Sequence, residues 1–154
     1  MFEEERWATL LAGQGCPLCG ETERIILTTL PSGRVELVND GNFVGYCILV
    51  FHRHAIELFD LSQEERTQFM EDITRIAEAI ATVCQPGKLN YEMLGNMVPH
   101  LHCHIVPRYP NDGYWGGPLW ARPADAIPTL TTDVLEALAE ELRTALTCVP
   151  TTRH

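Results

Sequence analysis

Residues 99–109 read PHLHCHIVPRY, with His100, His102 and His104 at every second position and Leu101, Cys103 and Ile105 between them. In a strand, successive side chains point to opposite faces, so the three imidazoles share one side and the apolar set shares the other. Neighbouring imidazoles on that side start about 6.5–7 Å apart. Imidazole binds transition metals, and near neutral pH it serves as nucleophile or proton carrier. Three in alternation on a chain with six histidines point to chemistry rather than to a solvated face. A site in which all three hold one metal ion stays open, although strand spacing alone does not fix its geometry.

A second cluster lies upstream. In GQGCPLCGET, Cys16 and Cys19 are two residues apart. A redox pair of this spacing usually opens a helix after a strand. Here Pro17 lies between the thiols and Gly20 follows at once, which favours a turn presenting both sulfurs to one ion. Zinc would need two more ligands for its usual tetrahedron, and spacing leaves open which histidines they are.

These residues need a scaffold, and the chain offers one. Its 154 residues, 45% of them hydrophobic, suit one domain over residues 1–154. A formal charge of −10 argues against a nucleic-acid polymer as partner. No apolar run approaches the ~20 residues of a membrane-spanning helix. The acidic opening MFEEERWATL is unlike a secretory signal, so a cytoplasmic setting with reduced thiols is expected.

That opening reads as a helix with Trp7, Leu10 and Leu11 on one face. Apolar runs at Ile25 to Leu30, Val35 to Val38 and Gly45 to Phe51, separated by turn signals at PSG and NDGN, read as an antiparallel meander. Next, Ser62 and Glu65 have the spacing of a capping box, and Phe69, Ile73, Ile76, Ile80 and Val83 recur at helical steps until Pro86 and Gly87. Strands at Leu89 to Leu94 and Leu101 to Val106 follow. Leu135, Leu138, Leu142 and Leu146 mark a last helix with Thr132 as its cap, in a C-terminal loop-and-helix segment of about 111–149. The expected class is α+β, with a mainly antiparallel five-stranded sheet, a long central helix and terminal helices.

HLHCHIVPR resembles the signature of the histidine triad superfamily of nucleotide hydrolases and transferases. The likeness extends to ELVNDGNFVGYCILVFHRHAIELFDLSQEE, residues 36–65, and to LNYEMLGN, residues 89–96; in all it covers about 16–110. The resemblance implies that His102 is a nucleophile attacking the α-phosphorus of a nucleotide, with its other ring nitrogen tied to a backbone carbonyl. His104 would contact the phosphate or the leaving-group oxygen. Asn90 and Asn96 resemble phosphate-binding positions. Asn39 resembles the ribose-binding position of the fragile-histidine-triad branch, with Asp40 a nearby second candidate. The NDG stretch is equally a turn signal in its own right.

In the family members that carry a CxxC pair, the remaining metal ligands are an upstream histidine and the first of the triad. Carried over, the set is Cys16, Cys19, His54 and His100 around one structural zinc per chain. Departures occur at Tyr46, where many members carry another histidine, and at Met97, where a hydroxyl residue often assists the leaving group. His52 has no assigned role, Arg108 reads as a surface arginine unless a distal phosphate reaches it, and the other cysteines read as small core residues.

The expected function is a nucleotide hydrolase or nucleotidyltransferase acting on a dinucleoside polyphosphate or nucleoside phosphoramidate. The family also implies a two-fold homodimer. The aromatic loop at 109–120 would either pack at the partner's site or close its own core. The alternative from another class is a zinc-containing nucleotide-binding or regulatory module with little turnover.

Overall fold

Strand-forming runs and turn residues lay out the first half of the chain. The computed structural model describes residues 3–123 and 127–148. After helix α1, Glu4–Leu11, strands β1, Ile25–Leu30, β2, Gly33–Leu37, and β3, Cys47–Phe51, form the expected antiparallel meander. At Gly33 a Cβ would lie 1.9 Å from the carbonyl oxygen of Val50, so only glycine lets β2 start this close to β3. Gly45 has φ +96° and turns the chain into β3; a Cβ there would sit 2.5 Å from the Cys84 sulfur.

Helix α2, Gln63–Cys84, begins at the capping box: Ser62 accepts from the Glu65 amide at 3.1 Å, and the Glu65 carboxylate accepts from the Ser62 amide at 2.8 Å. It ends at Gln85, whose φ of 48° is left-handed. Strands β4, Lys88–Glu92, and β5, His102–Arg108, complete a five-stranded sheet of order β1-β2-β3-β5-β4 in which every pairing is antiparallel. Helix α3, Thr132–Cys148, packs on α2 and β1. The α+β class with five antiparallel strands is as expected. Among the described residues no helix is long and apolar enough to cross a membrane.

Some boundaries differ. The third strand starts two residues later than expected and the fifth one residue later, so Leu101 as well as His100 precedes β5. The last helix includes Thr132 instead of being capped by it, and residue 149 of its segment lies outside the described residues. On α1, Leu10 is buried but Leu11 is exposed, because successive residues of a helix point about 100° apart.

The sheet buries both faces, and this positions the site. Cys47, Leu49 and Phe51 of β3 and Cys103 and Ile105 of β5 join Phe69, Ile73, Ile76 and Ile80 of α2 in the main core. The opposite face carries Ile48 and Val50 of β3 and Val106 of β5, with Phe43, Tyr46 and Leu119. Ile48 pairs with His104 and Val50 with His102 across β3 and β5, so both imidazoles belong to this second face.

Candidate active site and metal cluster

Four donors converge where three loops meet. The Cys16–Cys19 turn, closed by a hydrogen bond from the Cys19 amide to the Cys16 carbonyl at 3.1 Å, follows α1. His54 follows β3, and His100 leads into β5. The ligand atoms of Cys16, Cys19, His54 and His100 all lie within 4.8 Å of one another. Nδ1 of His100 is 3.4 Å from the sulfur of Cys16 and 3.4 Å from that of Cys19; Nδ1 of His54 is 3.5 Å from the Cys19 sulfur.

This geometry fits zinc. Bonds of about 2.3 Å to sulfur and 2.0–2.1 Å to nitrogen at tetrahedral angles place such donors about 3.5–3.6 Å apart. The outer ring nitrogens fit too. Nε2–H of His100 donates to the Phe51 carbonyl at 2.9 Å, and Nε2–H of His54 to the Leu11 carbonyl at 3.3 Å, which leaves each Nδ1 lone pair for a metal. With four protein donors the site is closed, so its contribution would be structural.

Two residues on, Nδ1 of His102 lies 2.6 Å from the backbone carbonyl of His100. A carbonyl only accepts, so Nδ1 carries the proton and Nε2 keeps a free lone pair. His100 thus contributes its ring to the cluster and its carbonyl to His102. His104 packs edge-on at 4.8 Å between ring centroids, and its Nδ1 is 2.5 Å from the Tyr46 hydroxyl. Trp120 also meets His104 edge-on, at 5.2 Å.

Burial pushes His104 down to about 4, with the positive fields of His102 and Arg24 adding to it. It is therefore neutral at pH 7. The unfolded chain titrates this residue near 6.5, so its contribution to stability is present above that pH and lost as pH falls toward 4. The urea midpoint is expected to drop between pH 7 and pH 4.5, this residue accounting for about 2 kcal/mol. Unchanged stability over that range would contradict a neutral, buried His104.

His102 and His104 open into a cavity of about 490 Å³. Leu18, Ile48 and Val98 give it apolar walls, while Asn96 and Arg24 are its polar ones. Arg24 pairs at 2.9 Å with the fully buried Glu36, which Arg34 also holds at 2.7 Å. Two arginines on one carboxylate leave a net positive charge, and the side chain of Arg24 is 45% exposed. Met97 stands exposed at the rim, as does half of Trp120.

The other expected site residues are placed differently. Asn90 pairs with Val106 across β4 and β5 but does not line the cavity. Asn39 bonds both ways to the Leu130 backbone, at 3.2 and 2.7 Å. Asp40 accepts from the Asn42 and Phe43 amides and pairs with Arg122. Neither lines the cavity; both tie the turn after β2 to the segment leading into α3. His52 donates from Nδ1 to the Ser32 carbonyl at 3.1 Å.

Arg108 corrects the sequence reading. It is not on the surface: 1% exposed, it pairs with Asp112 at 2.7 Å and donates to the carbonyls of Gly117 and Tyr114. The cation organises the loop that leads to Trp120 instead of meeting solvent or a phosphate. Sequence reasoning missed Arg24 and the contacts of Tyr46 and Trp120 with His104. The only signals were a charged residue before a strand and an aromatic-rich loop.

The HIT domain family model matches residues 23–111. Protein hit of Bacillus subtilis is 31% identical over 87 residues, which cover 53% of this chain and 59% of that protein. An adenosine 5'-monophosphoramidase of Schizosaccharomyces pombe is 28% identical over 105 residues, 64% of this chain and 70% of that one. An AP-4-A phosphorylase of Mycobacterium tuberculosis is 29% identical over 107 residues, 63% of this chain but 52% of the phosphorylase. The matches thus span from about half to seven-tenths of these relatives. The crystal structure of a histidine triad protein from Bradyrhizobium japonicum has a TM-score of 0.74 and 30% identity, covering 80% of this chain and 91% of that one.

Proposed function

The chain belongs to the HIT domain family, and on that premise we propose that it hydrolyses or transfers a nucleotidyl group through a covalent intermediate on His102. The observation that carries this reading is the bond from Nδ1 of His102 to the His100 carbonyl, which leaves Nε2 unprotonated beside a cavity. That lone pair attacks the α-phosphorus of a nucleotide, the bond from phosphorus to the leaving group breaks, and the leaving group takes its electron pair. Water, or another acceptor, then attacks the nucleotidyl-histidine and returns Nε2 as the leaving group. Two such displacements are each easier than one direct attack.

His104 meets the phosphoryl or leaving-group oxygen, Asn96 meets a phosphoryl oxygen, and Arg24 adds positive charge beside the leaving group; Asn90, Asn39 and Asp40 act from outside the cavity by holding its surroundings. Cys16, Cys19, His54 and His100 hold one zinc ion, whose role is to clamp the N-terminal loop to β5. The substrate is a dinucleoside polyphosphate or a nucleoside phosphoramidate, the two kinds of chemistry named for the relatives. The exposed charge of Arg24 in a chain of net charge −10 favours the anionic polyphosphate. Two cysteines kept for a metal ion rather than joined in a disulfide suit a reducing cytoplasmic setting, and the reading includes a two-fold dimer.

The test is AMP release from diadenosine tetraphosphate and from adenosine phosphoramidate by the purified protein. Turnover of at least one is expected. Nucleotide binding with no AMP from either would favour a binding module instead.

A further inference from the structure

The geometry points to Tyr46 as a positioning residue: its hydroxyl donates to Nδ1 of His104 and so fixes the tautomer whose proton sits on Nε2, toward the cavity. This deepens the enzymatic reading above and rests on it for its catalytic consequence, but not for the tautomer itself.

The groups within reach of the two rings decide the direction. The Tyr46 side chain is 5% exposed, and Nδ1 of His104 at 2.5 Å is the partner of its hydroxyl. If Nδ1–H donated to the phenol oxygen, the phenol hydrogen would have no acceptor among the described residues, and an unmade buried donor is costly. If the phenol donates, both groups are satisfied and the remaining imidazole proton must be on Nε2. The charged alternative, phenolate against imidazolium, is opposed on both sides. Burial holds the Tyr46 proton well above its ordinary range, and burial lowers His104.

The surroundings agree. His104 is faced by His102 on its own strand, Ile48 on β3, Glu92 on β4, Trp120 edge-on, and the field of Arg24. The Glu92 carboxylate accepts from the Leu119 amide at 3.5 Å. No anion therefore sits on Nδ1 to draw a second proton onto the ring.

A consequence follows for the leaving group. A neutral imidazole that gave up its Nε2 proton would become an imidazolate, and Tyr46 holds its own proton too firmly to refill Nδ1. His104 is therefore a hydrogen-bond donor to developing negative charge rather than a source of protons. A polyphosphate leaves as an anion and needs only that. An amine displaced from a phosphoramidate must collect a proton, which here comes from solvent. The tautomer lock thus selects phosphate leaving groups.

The test reads the tautomer directly. In long-range nitrogen–proton spectra of the histidine-labelled free protein, the wild type is expected to show His104 with Nδ1 unprotonated and Nε2 protonated at pH 7. In Tyr46→Phe, that single form should give way to a mixture. The kcat for diadenosine tetraphosphate should fall about tenfold or more, with KM changed less than about twofold. A protonated Nδ1 in the wild type would overturn the proposal even if the variant failed to fold. So would an unchanged single tautomer, or an unchanged kcat, in the variant. Absence of turnover by the wild type would overturn the enzymatic reading alone, because the tautomer is read without substrate.

Discussion

Replacing His102 by Asn is expected to lower turnover by about 10⁴-fold or more, while nucleotide affinity stays within about threefold. The asparagine amide can still donate to the His100 carbonyl that now receives the His102 Nδ1 proton, so the strand and the cavity wall keep their positions. What disappears is the Nε2 lone pair, and an amide nitrogen offers no nucleophile in its place. The remaining polar groups of the cavity, His104, Asn96 and Arg24, are unchanged in the variant and are expected to hold the nucleotide. Steady-state kinetics beside calorimetric titration separates the two quantities. Retained turnover would remove His102 from the role of nucleophile; lost affinity equal to the lost turnover would make it a binding residue.

The second large effect concerns the metal. Purified under reducing conditions, the protein is expected to carry one zinc per chain, and Cys16→Ser to carry none. Thermal unfolding of the variant should come at least about 10 °C lower. The reason is topological: the four donors come from the loop after α1, the loop after β3 and the approach to β5. One ion ties the N-terminal loop to two segments that the sheet already holds together. Turnover should fall as well, because the His100 backbone both carries a ligand and holds His102. Stripping zinc from the wild type with a chelator should reproduce both effects. Elemental analysis finding no zinc, or an unfolding temperature unchanged by the substitution, would contradict the cluster's role.

Much of the scaffold was legible because its signals are local. The alternation in HLHCHI sets the two faces of β5, and Ser62 with Glu65 marks the start of α2 before any tertiary contact is considered. The cluster ligands were legible only through the family resemblance, since His54 and His100 come together by sheet pairing that spacing does not encode. Three features were hidden for the same kind of reason. Arg108 looks like a surface cation until Asp112, four residues on, buries with it. Arg24 reaches the cavity through Glu36 on the neighbouring strand. Tyr46 and His104 are 58 residues apart, and nothing between them announces their hydrogen bond. Asn39 is the converse case: its place after β2 resembles a family binding position in sequence, while in the structure its amide is taken up by the Leu130 backbone.

Catalysis by His102 requires a covalent bond between its Nε2 and a nucleotide, and intact mass spectrometry after rapid quenching detects that bond. The wild type, mixed briefly with diadenosine tetraphosphate or adenosine phosphoramidate and quenched under conditions that preserve phosphoramidates, should gain the mass of one AMP as an acid-labile adduct. His102→Asn should gain nothing. An adduct that persists in His102→Asn, or wild-type product formation with no adduct at any quench time, would contradict attack by His102.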